Sequence, residues 1–207
     1  MAANSEYHLG VMLINLEVTE FGFDLNPVMT QNFGDLTAVY IIENDVKYGF
    51  VTKEFCDVNR IRVDELHEAA VSWQRNNNSP VIEPLDAVVQ SFSPEMVAVE
   101  MPFPVYIVTL AEARHGASVI MQSEILIGLE ERFGGDYFIL PSSTHEVLVA
   151  PDTGDENQEQ QLNNMVKKVN EMEVSPEERL SDRAIRASDF LQMVLAQEHK
   201  IDRGHQR

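Results

Sequence analysis

The segment Leu36–Thr52, LTAVYIIENDVKYGFVT, carries two runs of β-branched and aromatic residues on either side of the polar Glu43–Lys47. Such runs suit a pleated, half-buried surface, and a short polar break between them suits a tight turn. The segment therefore reads as a β-hairpin with Gly49 in its second strand. In the next stretch, RVDELHEAAVSWQRNNN, Val63, Leu66, Ala70 and Trp73 recur at intervals of three and four. That period puts them on one face of a helix. Asp64 and Glu65 fall in its first turn, where the helix dipole favours acids, and Asn76–Pro80 ends it. The order over Leu36–Asn78 is strand, turn, strand, helix.

A similar order recurs downstream. Pro104–Leu110 (PVYIVTL) reads as a strand, Ala111–Gly116 as a polar link, and Ala117–Met121 (ASVIM) as a second strand. Ser123–Phe133 (SEILIGLEERF) then reads as a helix with Ser123 as N-cap, closed by Gly134–Gly135. Two copies of a strand–strand–helix unit, 36–78 and 104–135, is one explanation; convergence on a common pattern is the other. Leu9–Val18 is expected to add a strand at a sheet edge, Glu83–Ser91 a short helix, and Met96–Glu100 a strand. Asp136–Leu140 and His145–Ala150 form a further strand pair, and the acidic Pro151–Glu159 is a loop. Over Gln160–Val174, Leu162, Met165, Val166, Val169 and Met172 share one helical face. Ser175–Glu178 turns into a last helix with the stripe Phe190, Leu191, Val194 and Leu195, and Glu198–Arg207 reads as a frayed end. The expected fold is α+β: an antiparallel-rich mixed sheet with helices packed on it, plus C-terminal helices. The expected division is a body, 1–178, and a helical tail, 179–207.

The 207 residues suit one domain, or one domain with an appendage, and 44% hydrophobic against 24% charged residues is enough for a core. No stretch approaches the roughly 20 apolar residues that span a bilayer, and MAANSEYHLGVML lacks the basic start and apolar block of a secretory signal. One cysteine, Cys56, allows neither an internal disulfide nor a cysteine-built zinc site. A cytoplasmic setting is expected. The net charge of −19 repels nucleic-acid phosphates and anionic membranes and suits a basic protein partner. Residues 179–207 carry six Lys/Arg against four acids, a net +2, which leaves −21 on residues 1–178. That mildly basic tail suits packing on the acidic body of its own chain or of a second copy, so a homo-oligomeric structural protein stays open.

The stretch YFILPSSTHEVLVAPD sets Ser142, Ser143, His145 and Glu146 between two apolar runs. In extended chain Ser143 and His145 share a face while Glu146 points away, which does not supply the geometry of a Ser–His–acid triad. No GxSxG elbow occurs. Pro141 and the small hydroxyl residues instead suit a turn whose side chains hydrogen-bond local backbone. A hydrolase using Ser143, His145 and Glu146 is the runner-up to that reading. On a helix, Asp64, His67 and Glu68 lie at i, i+3 and i+4, a ligand pattern for a metal; a solvated acidic first turn with one histidine is the favoured explanation, and HExxH is absent. With no Walker A and no GxGxxG, no cofactor is expected.

The octapeptide ILPSSTHE resembles the signature "ILPSS-x-HE" of an uncharacterised family of small proteins from Gram-positive gut bacteria. The resemblance runs from about Leu36 to Arg186 and includes DELHEAAVSW and MVKKVNEMEVSPEERLSD. The chain departs from it in having LAEARHG where "LTN" is usual, and over its first thirty-odd residues. The resemblance implies an architecture and a bacterial or mobile-element source, and carries no catalytic role to Ser143, His145 or Glu146. The expected function is a non-enzymatic, acidic interaction protein. In its sharper form it is a phage or mobile-element accessory protein that imitates nucleic acid and inhibits a basic host defence protein. Asp152, Asp155, Glu156, Glu159, Glu171, Glu173, Glu177 and Glu178 are the expected contact residues, and charge alone would not make them selective.

Overall fold

A computed structural model describes residues 7–19, 24–44, 47–92, 102–112 and 114–204. It contains two antiparallel sheets. In the first, β3 (Leu36–Glu43) is flanked on one edge by β1 (His8–Ile14) and on the other by β2 (Thr30–Phe33) and β4 (Tyr48–Phe50), which divide that edge between them. The second has the order β5 (Pro80–Pro84), β6 (Tyr106–Leu110), β8 (Val147–Pro151), β7 (Tyr137–Leu140), β9 (Ile185–Arg186). This is the expected α+β class with antiparallel sheets and C-terminal helices.

The near-continuous apolar runs of the central strands follow from burial on both faces. Val11 and Leu13 of β1 enter the main core while Met12 and Ile14 enter a smaller one with Val28 and Val39. In β7 and β8, Tyr137, Ile139, Val147 and Val149 face the main core. Their alternates Phe138, Leu140, Leu148 and Ala150 pack with Leu162 and Val166 of α5 (Gln158–Glu173). The main core is shared by both sheets. It is filled by α2 (Val63–Asn77), α4 (Ser123–Phe133), α6 (Ala187–Gly204) and a 3₁₀ helix, Gly116–Met121.

Several expectations are corrected. Ala117–Met121 is a 3₁₀ helix, not a strand. Every residue of it is buried, so its β-branched residues find apolar neighbours without a ladder. The segment 104–135 is therefore strand, 3₁₀ helix, helix, and does not repeat 36–78, which also holds a helix not expected from sequence, α1 (Lys53–Asn59). In α1 the Thr52 hydroxyl accepts the amide of Phe55 at 3.1 Å, and only Cys56 is buried. Strand β5 occupies part of the expected helix Glu83–Ser91, which starts at Leu85 as α3 (Leu85–Phe92). The prolines of β5 are tolerated because it is an edge strand. Ser123 does not cap α4: its hydroxyl donates to the Glu198 carboxylate, and Gln122 holds the cap position. At the other end Gly134 takes a left-handed φ of 75° as expected. Met172 is exposed and Asn170 takes the buried place on α5, donating to the Ser181 carbonyl and Asp182. The expected strand Met96–Glu100 lies outside the described residues.

The C-terminal segment is not an appendage. Strand β9 pairs with β7, α6 runs on to Gly204 through part of the expected frayed end, and Phe190 and Val194 are fully inside the main core. Phe190 lies 6.4 Å from the Phe33 ring of the first sheet. Phe190→Ala should cost about 3–5 kcal/mol, read as a lower urea midpoint. Removal of residues 187–207 should give an unfolded chain; a truncated chain that still unfolds cooperatively would make the segment a dispensable tail.

Candidate functional site

The turn between β7 and β8 is buried: Ser142, Ser143 and Thr144 are each under 5% exposed. Backbone groups out of contact with water need partners, and those of this turn find them in distant segments. The Leu180 amide donates to the Ser142 carbonyl, and the Thr144 amide donates to the Glu178 carbonyl. The Thr144 carbonyl accepts the Ala117 amide, and the His145 carbonyl accepts the Thr109 hydroxyl at 2.7 Å. The turn thus joins β6, the 3₁₀ helix and the 175–181 segment. Gly116 is required here, because a Cβ would overlap the His145 carbonyl and the Thr109 hydroxyl. The peptide bond before Pro141 is trans.

Within the turn, the Ser143 hydroxyl accepts the amide of His145 at 2.9 Å. The His145 ring turns elsewhere, with Nε2 3.1 Å from a Glu178 carboxylate oxygen whose partner oxygen accepts the Ser175 hydroxyl. These two hydrogen bonds, Ser175 first, hold the Glu178 carboxyl below its ordinary range. Among the described residues no bond links the Ser143 hydroxyl to the His145 ring. Their arrangement closes a turn.

On its other side the His145 ring stacks at 6.3 Å on His115, the residue that opens the 3₁₀ helix. His115 has a left-handed backbone, φ 55°, and its carbonyl accepts both the amide and hydroxyl of Ser118. Its side chain is 6% exposed, and neither ring nitrogen has a hydrogen-bond partner. The ring lines a cavity of about 260 Å³ between β1, the end of β3, the end of α2, and Glu112 and Arg114. Antiparallel register sets His8 opposite Glu43 there, and the two approach to 3.6 Å. His8 also stacks flat on Trp73 of α2, rings 3.6 Å apart and within 8° of parallel. Gly10 leaves the Glu43 carboxylate its place, since a Cβ at Gly10 would lie 2.5 Å from Glu43 Oε1. Burial raises the Glu43 pKa; His8 and Arg114 lower it, and Glu112 raises it further. Arg114 and Glu112 are exposed at the mouth, where an Arg114 N–H reaches the Asn44 carbonyl at 3.3 Å and the Glu112 amide donates to Asn78. Behind them Gln74 donates to Ser118 and accepts from Gln122, tying α2 to the 3₁₀ helix.

Residues 6–185 match the model of DUF5688, a family of unknown function. The chain belongs to that family. No curated protein and no solved structure matches it.

Of the sites expected from sequence, the fold brings together His145 and Glu178, one from the hydrolase set and one from the acidic set. It separates the metal set. Asp64 is ion-paired with Arg62, His67 is buried with Nδ1 3.0 Å from the Tyr40 hydroxyl, and Glu68 is exposed. Among the described residues no three His, Cys, Asp or Glu side chains are placed to hold a metal ion. Asp152 is ion-paired with Arg186 at 2.8 Å; Asp155, Glu156, Glu159, Glu171, Glu173 and Glu177 are exposed. No helix is long and apolar enough to cross a membrane among the described residues. Sequence reasoning did not assemble the cavity. Its only local sign is the charged, histidine-bearing stretch LAEARHG, because His8, Glu43 and Trp73 meet through sheet register and helix packing.

Burial holds both His67 and His115 neutral, each with a pKa lowered from 6.5 to about 4; His145 and Arg114 add to the effect at His115. Below pH 6.5 the unfolded chain takes up protons that the folded chain refuses, so stability falls as pH drops from 6.5 towards 4. Each histidine contributes a slope of about 1.4 kcal/mol per pH unit. Glu43, with its pKa raised in the fold, opposes this over the carboxylate range. In urea unfolding, His67→Gln should reduce the stability difference between pH 7.5 and pH 5 by about 2 kcal/mol. A pH-independent effect of the substitution would mean that His67 takes up its proton as readily in the fold as in the unfolded chain.

Proposed function

We propose that the protein acts by reversible binding of a small polar molecule in the cavity between His8, Glu43, Trp73, Arg114 and His115. The observation that carries this reading is His115. A buried polar group left without a partner costs about 1–3 kcal/mol, and native folds hold few of them. His115 adds a left-handed backbone, uncommon outside glycine, of a kind that costs about 1–3 kcal/mol and persists where surrounding structure enforces it. A ligand that draws the ring round to the cavity and hydrogen-bonds to it would remove the first cost. The volume, about 260 Å³, lies just below the ~300–1,000 Å³ usual for drug-sized ligands, which favours a single metabolite over a peptide or polymer.

The test uses the only tryptophan in the chain, Trp73, which lines the cavity. A ligand that touches the His8–Trp73 stack should change Trp73 emission and raise Tm together. At a hundred times Kd it should stabilise the fold by about 2.7 kcal/mol. His115→Leu should remove the response while the protein stays folded. If no compound in a panel of amino acids, sugars, nucleosides and organic acids moves either signal, the cavity is not a ligand site.

A second reading is supported by the surface. Six of the eight expected contact acids are exposed, in keeping with an acidic protein that binds a basic partner. Lys167 and Lys168, also exposed, interrupt the acids along α5. The acids therefore form two clusters near the ends of that helix, separated by roughly 22 Å at the α-helical rise. This spacing suits a partner with two basic patches better than a continuous phosphate-binding groove, so inhibition of a defence protein by nucleic-acid mimicry is its narrower form. Replacing Asp155, Glu156 and Glu159 by their amides should weaken capture of a basic protein from nuclease-treated lysate, most visibly at low salt. Unchanged capture would remove the reading.

A further inference from the structure

The charges around the cavity narrow what it accepts, taking the ligand-site reading as the starting point. Glu43 sits on the wall with its side chain 15% exposed, and it faces the His8 ring, 3.6 Å away, and the more distant guanidinium of Arg114. A half-buried carboxylate with incomplete pairing favours an incoming cation. Glu112 at the mouth adds a second negative charge on the same side of the balance. A simple anion would meet both carboxylates. A simple cation would meet Arg114, whose guanidinium offers a planar fork suited to a carboxylate.

We propose that the cavity binds a small zwitterion of the α-amino acid type, its ammonium group held by Glu43 and Glu112 and its carboxylate by Arg114. The His8–Trp73 stack forms the wall against which the rest of the molecule lies. Gly10 keeps that wall open, since a methyl group there would push the Glu43 carboxylate out of its position. Because the two charge partners, Glu43 and Arg114, come from different segments, a ligand bridging them also fixes the spacing between the end of β3 and Arg114.

Trp73 emission is titrated with each free amino acid, with its N-acetyl derivative, which lacks the ammonium, and with its amide, which lacks the carboxylate. At least one free amino acid should bind, and each blocked form should bind about ten- to a hundredfold more weakly. Glu43→Gln should abolish the preference for the free ammonium alone, and Arg114→Gln the preference for the free carboxylate alone. Glu112→Gln, at an exposed position, repeats the ammonium test without disturbing the sheet. Blocked and free forms binding equally well would overturn the proposal. So would binding of singly charged or neutral compounds with no response to any amino acid, although the ligand site itself would then stand. Silence of Trp73 towards every class removes the site and this assignment together.

Discussion

The buried turn at Ser142–His145 is the constraint on which the rest of the structure depends. Ser142, Ser143 and Thr144 are buried, so their amides and carbonyls must be matched by protein groups. The matching groups come from Thr109, Ala117, Glu178 and Leu180, three segments remote in sequence. Satisfying one short turn therefore positions the 3₁₀ helix beneath it and the chain that leads into β9 and α6. The hydroxyl of Ser143 and the ring of His145 take part in this closure, the one on a backbone amide and the other on Glu178.

The same closure produces the cavity. The 3₁₀ helix starts directly under the turn, at Gly116, where a side chain would collide with the His145 carbonyl. His115, one residue earlier, is thereby held in a left-handed conformation with its ring against His145 and at the wall of the cavity. Among the described residues most other buried polar groups are answered, with Asn170 Oδ1 the other exception. Gln74, Ser118 and Gln122 satisfy one another, and Tyr40 bridges Gln31 and His67. Against that background an unanswered imidazole stands out, since local rules tend to be broken where a protein does its work.

Two features of the surface bear on function in different ways. Arg186 neutralises Asp136 and Asp152, so part of the acidic excess around the 152–159 loop is absorbed within the fold. The remaining acids near the ends of α5 face solvent, with two lysines between them. Charge at such positions steers encounters and selects for sign, while the shape and hydrogen bonding of a bounded cavity select for identity.

The sequence by itself determined the elements whose signal is local. The 3–4 spacing of Leu66 and Ala70 set the buried face of α2, Gly134 ended α4, and the two apolar runs around the turn placed β7 and β8. Periodicity suffices there because one element's buried face is written along its own residues. Tertiary structure decided the rest. ASVIM has strand-forming residues, yet burial on every side and the Thr144 carbonyl made it a 3₁₀ helix. Phe190 and Val194 form an apolar stripe in either case, but only packing against Phe33 and α4 made the tail part of the core. The cavity needed the pairing of His8 with Glu43, the stacking of His8 on Trp73, and the loop that carries His115. Those contacts join residues up to about a hundred positions apart, and no local pattern records the register and packing that bring them together.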